Sequence, residues 1–219
     1  MTAMKSYQWP ILATIGFFLF ITLLFFAVGS AAQPKVNIQG NDQLPNISAP
    51  PVSFIDPSIG PSNAKVTIVE YADYACSACA QLNPTLASVL KKYPNDVRLV
   101  WKDFPNESES KEATPAAIAA RCADEQGQFW QYHDALFQQQ TQLGSNTYTS
   151  IAQALGLKAD VFAACVANSE PLPRVRKDYD EGLALKLTAT PTLYINTDRE
   201  TGALTIEQLQ SIVAGFLTK

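Results

Sequence analysis

Two cysteines in this chain have the spacing and setting for electron exchange. Cys76 and Cys79 form Cys-x-x-Cys inside Val66 to Tyr93, VTIVEYADYACSACAQLNPTLASVLKKY. The apolar, β-branched run from Val66 to Tyr71 reads as a buried strand. After the cysteines, Leu82, Leu86, Val89, Leu90 and Tyr93 recur on one face of a helix. A strand feeding a helix, with the cysteines at the helix start, is the context that a redox reading requires. Unpaired backbone N–H groups and the positive end of the helix dipole meet there, and both favour thiolate over thiol. Cysteines so placed have pKa values of about 3.5–7.5, and the thiolate is the attacking species in disulfide exchange. Cys76, the more exposed, is expected to attack or be attacked. Cys79, one turn further in, closes or resolves the bond. The competing readings are a pair of buried structural thiols and half of a zinc site.

The rest of the chain sets size and compartment. Its 219 residues suffice for one domain with a substantial core, or one domain with an insertion. A net charge of −4 leaves no basic footprint for nucleic acid. Lys5 precedes an uncharged apolar run, Ile11 to Val28. That run exceeds the usual signal-peptide core of about 7–15 residues and approaches the roughly 20 needed to span a bilayer. Residues 1–32 are therefore expected to form a retained anchor, spanning at residues 11–28. Cleavage near Ala32, after Gly29-Ser30-Ala31, is the alternative. Either outcome carries the cysteines out of the cytoplasm, where disulfides persist. Residues 33–55, rich in Pro, Asn, Gly and Ser, read as a linker, and part of Val52 to Ile59 as a first edge strand.

Beyond the first helix, Asp96 to Phe104 alternates as a strand ended by Pro105. Helical patterns follow over Ala113–Gln126, Phe129–Gln140, Asn146–Leu155, Ala159–Asn168 and Arg174–Leu187. Pro191 to Ile195 returns to strand period, Asn196 to Gly202 reads as a turn, and a second strand is expected beside it. An amphipathic helix carrying Ile206, Leu209, Ile212, Val213 and Phe216 closes the chain, with Thr205 and Gln208 as a capping box. The order βαβ, helices, strands, helix fits one mixed sheet interrupted by a helical block.

Four features together are specific: Val69-Glu70-Tyr71 ending the strand, Cys76-Ser77-Ala78-Cys79, Phe129-Trp130-Gln131-Tyr132-His133-Asp134-Ala135-Leu136-Phe137, and Thr190-Pro191-Thr192. On these the chain resembles the DsbA-like branch of the thioredoxin superfamily, over about Asp56 to Lys219. The resemblance implies an α/β class: a thioredoxin fold over 56–219 with a helical insertion at about 111–188, here preceded by a transmembrane helix. It implies thiol–disulfide exchange on exported proteins and a cis peptide at Thr190-Pro191 beside the sulfurs; the residues alone leave cis and trans open. It also implies a buried acid at Glu70, able to relay a proton. The alternatives there are a structural pair with Lys102 on the neighbouring strand, or Asp73 in the acid role. The chain departs from the strongest oxidants of the family, which carry Pro-His between the cysteines where Ser77-Ala78 stand. An intermediate redox potential is the expectation.

In an oxidising compartment Cys122 and Cys165 are expected to form a structural disulfide, the alternative being two buried thiols. His133, the only histidine, sits among apolar residues and reads as a packed core side chain; no metal or other cofactor is expected. The sequence thus points to an extracytoplasmic oxidoreductase whose catalytic group comprises Cys76, Cys79, Glu70, Thr190 and Pro191. Its expected partners are reduced or misoxidised exported proteins, a membrane redox partner that reoxidises (or reduces) the pair, and the membrane itself through residues 11–28. A reductase or isomerase of the same fold, and a non-catalytic binding or chaperone module, are the alternatives.

Overall fold

The computed structural model describes residues 47–218. The expected span at 11–28 and most of the linker lie outside them. Among the described residues no helix is long and apolar enough to cross a membrane.

Five strands form one sheet: β1 (Ser58–Ile59), β2 (Val66–Ala72), β3 (Val97–Asp103), β4 (Thr192–Ile195) and β5 (Asp198–Thr201), in the order β1-β3-β2-β4-β5. Helix α1 (Ser77–Lys92) connects β2 to β3, which pair in parallel; the other pairings are antiparallel. Alternation along the strands supplies two apolar faces. On one, Val66, Ile68, Val97, Leu99, Leu193 and Ile195 meet Leu82, Leu86 and Val89 of α1, with Leu209 and Val213 of the final helix α7 (Ile206–Leu217). On the other, Val69, Tyr71, Val100 and Tyr194 pack with Phe104, Leu185 and Leu187.

Between β3 and β4 lie α2 (Ala113–Asp124), α3 (Phe129–Gln138), a 3₁₀ turn (Gln140–Gln142), α4 (Ser145–Ala154), α5 (Ala159–Asn168) and α6 (Leu172–Ala184). The alanine-rich α2 is buried almost throughout and contacts each of the other four. Its short side chains let four neighbours approach one axis. Cys122 of α2 is bonded to Cys165 of α5, S–S 2.04 Å. A buried ion network fastens α6 and α2 to the sheet. Lys102 Nζ lies 2.9 Å from Asp56, 3.2 Å from Asp178 and 2.9 Å from Glu181. Arg121 reaches Asp103 at 2.7 Å and Asp178 at 2.5 Å.

Two boundaries differ from the sequence pattern. The segment read as a turn, Asn196 to Gly202, contains β5: the hairpin turns at Asn196, whose φ of 51° is the left-handed conformation that Asn tolerates. Polar, exposed Asp198–Thr201 then continues as an edge strand with no apolar alternation to reveal it. Helix α6 stops at Ala184 although apolar residues continue to Leu187. Lys186 adopts φ 56°, and the N–H groups of Lys186 and Leu187 donate to Leu183 and Gly182 carbonyls, a Schellman end. Pro84 lies inside α1, well beyond its first turn.

Candidate active site

The turn from β2 into α1 is built by hydrogen bonds to its own backbone. Asp73 accepts from the Ala75 N–H at 2.8 Å and the Asn106 N–H at 2.9 Å. The Cys76 N–H donates to the Asp73 carbonyl at 3.1 Å. Gln140, from the 3₁₀ turn of the insertion, donates through Nε2 to the carbonyls of Tyr74 at 2.7 Å and Cys76 at 2.9 Å. Cys76 is thereby the N-cap of α1, its sulfur accepting from the Cys79 N–H at 3.4 Å. Both cysteines are free thiols here, Cys76 half-buried and Cys79 buried.

Their environments split them. Cys76 is lowered to about 6, first by the hydrogen bond from the Cys79 thiol, then by Thr190 and by the Cys79 and Ala78 N–H groups, against a smaller penalty from burial. Cys79 is pushed far above the ordinary thiol range by burial, by its hydrogen bond to Cys76 and by the Cys76 charge. Thr190 acts in two directions. Its carbonyl accepts from the Cys76 thiol at 3.4 Å, which favours the protonated sulfur, whereas its side chain favours the thiolate. The Thr190–Pro191 peptide is cis. The loop around it is held by the buried Thr192 hydroxyl, which donates to the Ala189 carbonyl at 2.8 Å, and by the Gly202 N–H, which donates to the Pro191 carbonyl at 2.8 Å.

Glu70 is 1% exposed and makes no hydrogen bond or ion pair among the described residues. In register it is flanked by Trp101 and Leu193. Lys102, weighed above as its partner, stands opposite Tyr71 instead. With a period of two, Glu70 therefore shares the face of Val66 and Ile68 that packs on α1, and Lys102 points the other way, into its own carboxylates. Burial, and secondarily the Cys76 charge, push Glu70 up to about 8. Asp73 is raised to about 6, chiefly by burial, but both its oxygens are occupied by N–H donors. Asp73 thus accepts two backbone N–H groups, whereas Glu70 accepts none among the described residues.

His133 is buried among Tyr74, Trp101, Phe129, Trp130 and Phe137, with Nδ1 3.1 Å from Asp134. Burial lowers its pKa, keeping the ring neutral. Among the described residues no cluster of three or more His, Cys, Asp or Glu is arranged to hold a metal ion.

A family model described as Thioredoxin matches residues 55–214, well over half of the chain. The chain belongs to the thioredoxin family. Within this family its fold is the one shared by DsbA-like thiol–disulfide oxidoreductases. The oxidised BdbD of Bacillus subtilis superposes with a TM-score of 0.70 at 22% identity, over 80% of this chain and 99% of BdbD. The catalytic domain of Proteus mirabilis ScsC gives 0.68 at 24% identity, covering 76% and 92%. The thiol–disulfide exchange protein alpha-DsbA2 of Wolbachia pipientis gives 0.67 at 18%, covering 74% and 87%. Among curated relatives, the chain is 32% identical over 206 residues to the Na(+)/H(+) antiporter NhaA 3 of Salinispora tropica and 34% identical over 154 residues to NhaA 1 of Salinispora arenicola. It covers 31% and 24% of their lengths.

The contacts of two residues of this site could not be read from the sequence. Gln140 stands in a run of glutamines, Gln138 to Gln140, and only the fold shows which one reaches Cys76. Thr192 belongs to a recognised triplet, but its loop-holding bond appears only in three dimensions.

Proposed function

We propose that this protein is an extracytoplasmic thiol–disulfide oxidoreductase that forms disulfides in exported proteins. The observation supporting this most strongly is the contrast within one turn of α1: a half-exposed cysteine at about 6 beside a buried one pushed far up, next to a buried acid held at about 8. A client thiolate attacks Cys76 Sγ of the oxidised pair. The Cys76–Cys79 bond breaks, a mixed disulfide forms, and Cys79 departs with the electron pair. Protonated Glu70 supplies the proton that the poorly stabilised Cys79 thiolate takes up. A second client thiolate then attacks the client sulfur of the mixed disulfide and releases Cys76 as thiolate, a good leaving group because its pKa is low. The client has lost two electrons and two protons. A membrane redox partner removes the two electrons from the dithiol and restores the bond, Glu70 accepting the Cys79 proton.

The expected span at residues 11–28 would anchor the chain, with 33–55 as tether and 56–219 as the redox domain outside the cytoplasm. Cleavage near Ala32 would release the same domain. Antiport belongs to the much longer relatives and is not assigned to this chain. The test is oxidation of a reduced two-cysteine peptide by wild type, Cys76→Ser and Cys79→Ser. Cys76→Ser should be inactive, and Cys79→Ser should accumulate a mixed disulfide with the client. Undiminished oxidation by Cys76→Ser would overturn the assignment. A reductase would instead show a potential near that of thioredoxin, about −270 mV.

A further inference from the structure

The backbone at Cys76 is held from two sides. Its N–H side is satisfied from within the turn, by the Asp73 side chain on Ala75 and the Asp73 carbonyl on Cys76. Its carbonyl side is held from outside. Both Nε2 hydrogens of Gln140 are used, one on the Tyr74 carbonyl at 2.7 Å and one on the Cys76 carbonyl at 2.9 Å. The remaining protein donor to these two oxygens is the Ala80 N–H, 3.2 Å from the Cys76 carbonyl. Gln140 belongs to the inserted helical region, not to the thioredoxin sheet. A second link from the same region reaches α1, where Asn83 donates to Asp134 of α3 at 3.3 Å.

We propose that Gln140 is a positioning residue for Cys76, through which the helical insertion sets how well the N-terminus of α1 stabilises that sulfur. The Cys79 N–H reaches the Cys76 sulfur at 3.4 Å. How well that donor is aimed depends on where the Cys76 backbone is held, because a hydrogen bond weakens steeply as its angle departs from linear. The Gln140 amide fixes the Tyr74 and Cys76 carbonyls on either side of Ala75. Without it, the Tyr74 carbonyl loses this donor and the Cys76 carbonyl keeps the Ala80 N–H, so the Cys76 sulfur is held less firmly on the helix end. The stabilised thiolate is the product side of client oxidation, so weakening it disfavours reduction of the pair and lowers its potential. Gln140 touches neither sulfur nor client; it acts through the Tyr74 and Cys76 backbone.

This inference rests on the exchange chemistry proposed above, and the test separates the two. Gln140→Met keeps length and packing while removing both donors; Gln140→Glu replaces the donors with acceptors and a charge. Gln142→Met, on an exposed neighbour, is the control. In the full chain, the Cys76 pKa is read from thiolate absorbance and iodoacetamide reactivity, and the exchange equilibrium constant from glutathione buffers. Gln140→Met should raise the Cys76 pKa by about one pH unit, a tenfold loss of affinity for the charged form, and Gln140→Glu by more. The exchange constant should move in the reducing direction by up to about tenfold, or 30 mV. The control should match wild type. Wild-type pKa and exchange constant in both Gln140 variants, even with a lowered melting temperature, would overturn the proposal by reducing Gln140 to a structural brace. A wild-type protein with no reversible couple would instead refute the exchange chemistry itself. Should Gln140→Glu fail to fold, Gln140→Met alone decides.

Discussion

Replacing Glu70 by Gln should change the pH dependence of folding in a way that no exposed carboxylate could. In the reduced wild-type protein Glu70 keeps its proton to about pH 8, whereas the unfolded chain releases it near 4.5. Between those values the folded state binds more protons than the unfolded state, so stability falls as pH rises through the window. Integrating the linkage gives a loss, attributable to this one carboxyl, of about 3 kcal/mol by pH 7 and about 4 kcal/mol by pH 8. Glutamine is nearly isosteric with the protonated acid and does not titrate. The stability difference between Glu70→Gln and wild type should therefore be constant below pH 4 and grow in favour of the variant by about 3 kcal/mol at pH 7. The assay is urea unfolding of both reduced proteins from pH 4 to 8. Any fixed cost of the amide cancels, because the slope is the readout. Activity should move the other way: without a proton donor and acceptor beside Cys79, peptide oxidation should slow by roughly 10²-fold or more at saturating oxidant. Parallel stability curves for the two proteins would refute the reasoning and mean that Glu70 is ionised and paired in solution.

Other outcomes follow from the same geometry. In the reduced protein, iodoacetamide should modify Cys76 with a midpoint near pH 6 and leave Cys79 unmodified until the chain unfolds, as peptide mass spectrometry would show; equal labelling at pH 7 contradicts the assigned environments. Joint replacement of Cys122 and Cys165 by Ala opens a loop with a sequence separation of 43, and should cost about 4 kcal/mol in urea unfolding while leaving exchange at Cys76 in place. Lys102→Met strands Asp56, Asp178 and Glu181 around a missing cation. It should cost about 3–5 kcal/mol at pH 7 in urea unfolding.

The strand–helix unit and its cysteines were legible because two periods, 2 and then 3.6, meet at Cys76, and few local sequences do this by accident. Helix α2 was legible from its alanines. A second strand was expected, but the position of β5 was not legible, since Asp198–Thr201 is an exposed edge whose neighbours supply the hydrogen bonds and whose side chains carry no pattern. The end of α6 was hidden because a Schellman turn built on Lys186 looks like any helical residue until its φ is seen. The choice of partner for Glu70 turned on strand register: one residue of offset puts Lys102 on the opposite face, and register between distant strands is a property of the folded sheet. Gln140 shows the same limit, because its bonds to Tyr74 and Cys76 join residues brought together only by the packing of the insertion onto α1.

The most direct measurement is a glutathione redox titration of the full chain, with mass spectrometry of the alkylated cysteines at each point. Cys76 and Cys79 should titrate together as one two-electron couple, at a potential between about −270 mV and about −120 mV, while Cys122 and Cys165 stay bonded throughout. A titration in which Cys76 and Cys79 show no reversible couple would contradict the central claim.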